Sequence, residues 1–153
     1  MISLKLATWD HLPDLIEMAE EFHKNSPYAE IEEFNEARVS DVIISCFDNP
    51  TERIVIVLTD ETNKAVGMII AATSLSIFNY GKVASEIAWW VSPQYRGKHS
   101  IELHKAYEYW AKNVAKCSVI QSALLEDDSV DRVSRYYLRQ LFIPVERAFI
   151  KKV

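Results

Sequence analysis

Apolar and polar residues alternate from Ile2 to Ala7, the period of a half-buried strand. Leu12, Leu15, Ile16, Ala19 and Phe22 then recur at helical spacing, which predicts a helix packed by one stripe against a sheet. Asp10 stands where that helix needs a cap, and Pro13 falls in its first turn, where the missing N–H is tolerated. Lys24 to Glu33, with Asn25, Ser26 and Pro27, predicts a loop. A second helix follows from Glu36 to Phe47, with Val39, Val42, Ile43, Cys46 and Phe47 inward, and Asp48-Asn49-Pro50 stops it. Arg53 to Thr59 is β-branched and apolar on both parities, a buried strand. Asp60 to Lys64 turns the chain, and Ala65 to Thr73 completes a hairpin. Gly67, early in that strand, fits a bulge or a tight contact. Ile77 to Lys82 is an aromatic loop.

The stretch from Ser85 to Lys116 organises the rest. A short apolar strand (Ile87 to Val91) passes through Pro93 and the turn Gln94-Tyr95-Arg96-Gly97-Lys98-His99-Ser100 into a helix. Leu103, Ala106, Tyr107, Trp110 and Val114 mark the apolar face of that helix, and Glu108 precedes Lys112 by one turn on the other. Ser100 is placed to cap it. A helix N-terminus has free N–H groups and partial positive charge, so the turn suits a phosphate or pyrophosphate. Arg96 and Lys98 add full charges there. Beyond it, Cys117 to Leu125 predicts a buried strand, Glu126-Asp127-Asp128 an acidic loop, and Val130 to Leu141 a helix with Val133, Tyr137 and Leu141 on one face. Val145 to Val153 has room for a last strand or two. The order β-α-α-β-β-β-α-β-α-β(-β) implies a mixed sheet with helices on both faces, an α/β (α+β) domain.

At 153 residues the chain suits one domain spanning 1–153. Three glycines and five prolines leave no flexible linker. A net charge of −5 argues against a nucleic-acid surface built on Arg96, Lys98 and the run from Arg132 to Arg139. No basic and apolar leader and no membrane-length apolar run is present, so a cytoplasmic protein is expected. Cys46 and Cys117 sit apart among apolar neighbours and predict free thiols. His11, His23, His99 and His104 form no ligand spacing with them, so no metal is expected.

Val91, Pro93, Tyr95, Arg96 and Gly97, between an apolar strand and an amphipathic helix, resemble the acyl-CoA-binding motif of the GNAT N-acetyltransferase superfamily. His99 and Ile101 stand where that motif most often has glycines, and Ser100 where it has an aliphatic residue. The element order resembles the GNAT fold along essentially the whole chain. The resemblance implies acetyl-CoA as cosubstrate and a primary amine, in a small molecule, peptide or protein, as acceptor. It implies that backbone groups of Trp90, Val91 and Ser92 pair with the pantetheine arm. It also implies that the turn of Arg96, Gly97, Lys98, His99, Ser100 and Ile101 holds the pyrophosphate. Compact members occur as monomers and as homodimers.

Acetyl transfer to an amine needs a base for the amine and an acid for the departing thiolate. Glu86 is the only carboxylate between Lys82 and the turn, and several family members use a glutamate near this place as base. A partly desolvated glutamate of raised pKa suits that role near neutral pH. Tyr137 and Phe142 resemble the family's Y-x-x-x-G-F ending, in which the tyrosine protonates the thiolate; Tyr136 is the fallback. Leu141 replaces the usual glycine there, and Val130 a frequent asparagine. Those departures, with the turn's missing glycines, leave a second reading open: a GNAT-like acyl-CoA-binding or interaction module without catalysis. Tyr28, Phe78, Tyr80 and Trp89 either line an acceptor pocket or pack the core, and the loop from Glu126 to Asp128 offers charge to a cationic amine.

Overall fold

The computed structural model describes residues 1–153. One sheet carries five strands in chain order: β1 (Ser3–Leu6), β2 (Arg53–Thr59), β3 (Ala65–Leu75), β4 (Lys82–Val91) and β5 (Val119–Gln121). The helices are α1 (Leu12–Lys24), α2 (Glu36–Ser45), α3 (Lys98–Asn113) and α4 (Val130–Arg139). Pairing is antiparallel from β1 through β4, with short loops joining β2 to β3 and β3 to β4. It turns parallel between β4 and β5, because α3 returns the chain across the sheet.

The unbroken apolar run in β2 follows from having both faces covered. Val55 and Val57 pack with Leu15, Met18 and Ile43 of α1 and α2; Ile54, Ile56 and Leu58 pack with Leu103, Tyr107 and Trp110 of α3. Gly67 packs tightly: a Cβ there would lie 2.8 Å from Leu58 Cδ1. It also borders a register shift at Leu58/Thr59, so both readings of this glycine hold.

A second irregularity matters more. Ile70 pairs with Ala88 and Ala71 with Glu86, which leaves Ile87 as an extra residue in β4. Ala84 therefore packs under α3 while Ala88 packs with α1 and α2, although residues four apart on a regular strand share a face. The bulge puts Glu86, like Ala84, on the α3 face, and it returns Trp89 and Val91 to that same face.

Several elements differ from the sequence pattern. β1 is an exposed edge rather than half buried; Leu4 and Leu6 lie with Ile54, Tyr109 and Trp110 along a shallow apolar groove. Asp10 caps nothing. The turn before α1 is closed by Thr8, whose N–H donates to His11 Nδ1 at 3.0 Å, and Asp14 reaches across to the Ala65 N–H at 2.9 Å. Asn35 caps α2 by accepting from the Arg38 N–H at 2.9 Å. The apolar face of α3 is Leu103, His104, Tyr107, Trp110 and Ala111, with Val114 exposed, and Glu108 meets His104 rather than Lys112.

The region after α3 departs furthest. The strand expected over Cys117 to Leu125 is three residues long and mostly exposed, and Val145 to Val153 forms no strand. The carbonyls that would extend β5 are taken by side chains: Gln121 O accepts from the Tyr107 hydroxyl and Ala123 O from the Tyr137 hydroxyl, each at 2.6 Å. So short an edge offers a following strand few ladder bonds, and Pro144 removes one more donor. Arg147 instead pairs with Glu126 at 2.7 Å.

Candidate active site

β4 and β5 pair only from Val83/Val119 to Ser85/Gln121. Past that point β4 continues to Val91 while the other chain leaves the sheet. The edge of β4 from Glu86 to Val91 thus borders a gap that runs toward the start of α3.

At the inner end, Glu86 Oε2 lies 3.4 Å from the Tyr137 hydroxyl. Burial pushes the Glu86 carboxyl up to about 7, against the opposing hydrogen bonds from the Ala123 N–H and Tyr137. Ala123 borders both groups, and its carbonyl accepts a hydrogen bond from the Tyr137 hydroxyl at 2.6 Å. Burial, and then the Glu86 charge, push the Tyr137 phenol well above its ordinary range. A phenol pKa near 10, the value the residue type suggests, is not what this environment gives.

The end of α4 explains why a tyrosine and a phenylalanine five residues apart work together. Phe142 N–H donates to Tyr137 O at 3.0 Å and Leu141 N–H to Leu138 O at 3.1 Å, the paired bonds of a Schellman motif. Its apolar contact is the Tyr137–Phe142 ring pair, with centroids 5.3 Å apart. The motif requires a left-handed residue between them, and Leu141 adopts φ 66° where the family pattern has glycine. Leu141 is 87% exposed, so its side chain meets no obstruction and the geometry survives the substitution.

At the outer end, Gly97 caps α3 with φ 87° and ψ −116°. A non-glycine residue there is strained, although no atom lies within 4 Å of where its Cβ would be. The first helical bond runs from Ile101 N–H to Gly97 O at 3.2 Å, so the N–H groups of Lys98, His99 and Ser100 precede any helical partner. Ser100 lies inside the first turn and does not cap it.

The charges at the turn are less free than its sequence suggests. The Arg96 guanidinium stacks 4.6 Å over Trp90, and its Nε donates to Val91 O at 2.8 Å. Glu102 meets His99 Nδ1 at 2.8 Å and Lys98 Nζ at 3.5 Å. Ser92 N–H is committed to Val66 O at 2.9 Å. What remains for an anion is mainly backbone.

Glu86, Tyr137 and Trp89 thus meet at one end, and the turn lies at the other. Tyr28, Phe78 and Tyr80 are exposed and share no pocket with them. In the acidic loop, Asp127 accepts from the Ser129 N–H at 2.7 Å and Glu126 is paired with Arg147, which leaves Asp128. Both cysteines are free thiols, and burial raises both. No group of three or more His, Cys, Asp or Glu side chains is arranged to hold a metal, and no helix is long and apolar enough to cross a membrane.

His104 is the residue that sequence reasoning missed. It is fully buried and lies 4.9 Å from Trp89 and 5.4 Å from both Tyr136 and Tyr137 between ring centroids. Its spacing from Tyr107 and Ala111 was the available signal, since that places it on the buried face.

Residues 12–141 match the Acetyltransferase (GNAT) family. The chain belongs to the GNAT acetyltransferase family. Solved structures share this GNAT fold at low sequence identity. A transcriptional regulator of Bacillus halodurans C-125 superposes with a TM-score of 0.78 at 14% identity over 100% of both chains. An aminoglycoside antibiotic 6'-N-acetyltransferase of Acinetobacter baumannii does so with a TM-score of 0.73 at 18% identity, over 100% of this chain and 98% of that one. The enzyme AAC(6')-Iy, solved with the bisubstrate analogue CoA-S-monomethyl-acetylneamine, gives a TM-score of 0.71 at 13% identity, over 100% and 98%. No curated protein sequence matches.

Proposed function

We propose that this GNAT protein is a cytoplasmic N-acetyltransferase that moves an acetyl group from acetyl-CoA to a primary amine, with 1–153 as its single domain. The observation that carries the reading is the meeting of Glu86 and Tyr137 at 3.4 Å beside a β4 edge that leads to unpaired helix N–H groups. The backbone of β4 around Trp90 and Val91 suits a pantetheine arm. The N–H groups of Lys98, His99 and Ser100 suit a pyrophosphate, and Gly97 leaves room for it. Ile101 begins the helical ladder behind them.

Glu86 serves as base. With a pKa of about 7 it is substantially ionised at neutral pH yet basic enough to accept a proton from the attacking amine. Tyr137 serves as acid. Burial, joined by the charge of Glu86 while it is ionised, holds the phenol well above its ordinary range, so it keeps its proton. Once Glu86 has taken the amine proton, its share of that shift vanishes, while the burial remains, and Tyr137 becomes more acidic as the thiolate departs. The two steps are coupled by one contact.

The experiment is thiol release from acetyl-CoA against a panel of primary amines, with binding measured separately by calorimetry. Amine-dependent release that falls in Glu86→Gln supports the reading. Binding of acetyl-CoA without release for any amine supports instead the acyl-CoA-binding module.

A further inference from the structure

A fully buried imidazole destabilises a fold unless its nitrogens find hydrogen-bond partners. Both nitrogens of His104 find one. Nε2 lies 2.8 Å from Ser122 Oγ, and Nδ1 lies 3.0 Å from the Tyr136 hydroxyl. Glu108 Oε1 approaches Nδ1 at 3.2 Å but is not aligned to bond it. Burial holds the ring pKa down to about 4, so at neutral pH the ring carries one N–H and one lone pair. Each hydroxyl partner can donate or accept, so either tautomer makes both bonds.

The two partners flank a single contact of the site. Ser122 precedes Ala123, whose carbonyl accepts from the Tyr137 hydroxyl at 2.6 Å, and Tyr136 precedes Tyr137. A closed ring results, running from the imidazole through Ser122 and Ala123 to the Tyr137 phenol and back through Tyr136. The hydroxyl it encloses is the one 3.4 Å from Glu86 Oε2. Neither segment of the ring has much else to hold it. Pairing of β5 with β4 ends at Gln121, one residue before Ser122, and Tyr137 is the one buried residue of α4. Helix α3, by contrast, is fixed against the sheet by Leu103, Tyr107, Trp110 and Ala111.

We propose that His104 is a positioning residue: by bridging Ser122 and Tyr136 it fixes the Tyr137 hydroxyl beside Glu86. The proposal rests on the acetyl-transfer reading of the same site. His104 makes no hydrogen bond to Glu86 or Tyr137 and moves no proton, so its part is geometric. Geometry of this kind matters, because a misplacement of about 1 Å can cost about a hundredfold in rate.

The first readout needs no turnover. Tyrosine hydroxyl exchange is followed on carbon-13 Cζ signals in mixed H2O and D2O. His104→Phe keeps an aromatic ring and loses both hydrogen bonds, and should speed exchange at Tyr137 by at least about tenfold. The Tyr107 hydroxyl, bonded at 2.6 Å to the carbonyl of the last paired residue of β5, should keep its wild-type rate. Equal acceleration of both hydroxyls would mean general loosening and overturn the proposal, as would none at Tyr137.

The second readout is thiol release from acetyl-CoA, with whichever primary amine in a panel the wild type accepts. His104→Phe should lower kcat by about tenfold with the KM for acetyl-CoA unchanged. In a Tyr137→Phe background the same change should cost nothing further, since His104 acts only through that hydroxyl. An undiminished loss in that background overturns the proposal. Should His104→Phe fail to fold, Ser122→Ala and Tyr136→Phe carry the test, each removing one bond of the ring. Each should speed Tyr137 exchange and lower kcat by about threefold, and wild-type behaviour in both overturns the proposal. A wild type that releases no thiol with any amine overturns the acetyl-transfer reading and the catalytic part of His104 with it, whatever the exchange rates.

Discussion

Helix α3 carries two histidine–glutamate pairs one to two turns apart, and they behave oppositely. His99 and Glu102 meet at 2.8 Å at the partly exposed start of the helix, and the His99 hydrogen bond draws the Glu102 carboxyl below its ordinary range. His104 and Glu108 meet at 3.2 Å against the sheet, where burial raises the glutamate and lowers the histidine to about 4. Contact alone does not make an ion pair. In water a short contact favours the charged forms, whereas under α4 desolvation outweighs the attraction and both groups tend to neutrality. The first pair trims the charge of the turn proposed to hold an anion, and the second lies beside Tyr136 and the proposed acid Tyr137.

The sharpest way to separate the two ends is at Glu86. Glu86→Gln should lower the acetyl-transfer rate by about a hundredfold, the low end for loss of a general base, and added salt should not restore it. Stability should move the other way. The folded carboxyl titrates at about 7 against an ordinary value of 4.5, so between those values the native state holds a proton that the unfolded chain has released. Wild-type stability therefore falls as pH rises through that window. The glutamine variant should melt higher than wild type at pH 8 and equal it at pH 4, which differential scanning calorimetry reads directly.

At the turn, charge should matter through the backbone cradle. Gly97→Asp brings an anion and a strained φ to the mouth of the helix, and should weaken acetyl-CoA binding by at least about tenfold, or 1.4 kcal/mol. Equal affinity by calorimetry in the folded variant would remove the turn from the site. Leu141→Gly tests the support of the inner end. Relief of a left-handed leucine should stabilise the protein by about 1 kcal/mol, seen as a higher Tm with kcat unchanged. The smallest effect is expected at the exposed pair. Glu102→Gln releases Lys98 and His99, and should tighten acetyl-CoA binding by about threefold at low salt, with the gain lost in 0.5 M salt as charges are screened at about 3–5 Å.

The legibility of the chain divides along similar lines. Helical spacing reports which face is buried, so α1 and α2 could be read from it, β2 from its unbroken apolar run and β3 from the turn that closes the hairpin; the motif nominated Glu86 and Tyr137, which the fold brings within 3.4 Å. Three features could not be read that way. The extra Ile87 in β4 leaves no mark in a strand of small and apolar residues, yet it decides which face carries Glu86. The shortness of β5 depends on tyrosines from α3 and α4 taking its carbonyls, a tertiary event. The charges of Arg96, Lys98 and His99 looked available because their partners are a ring, a carbonyl and a carboxylate that only the fold brings near. His104 was visible as a polar residue on an apolar stripe, and that mismatch is the mark of a buried polar network.

The claim that Glu86 is the base is tested most directly by the pH dependence of kcat/KM for amine-dependent thiol release, in wild type and in Glu86→Gln. Wild-type kcat/KM should rise through an apparent pKa near 7, as the carboxyl must lose its proton before it can accept one from the amine. In Glu86→Gln that limb should vanish, leaving only the rise set by the amine's own ionisation. A variant whose profile keeps the limb near 7 at wild-type height would contradict the account.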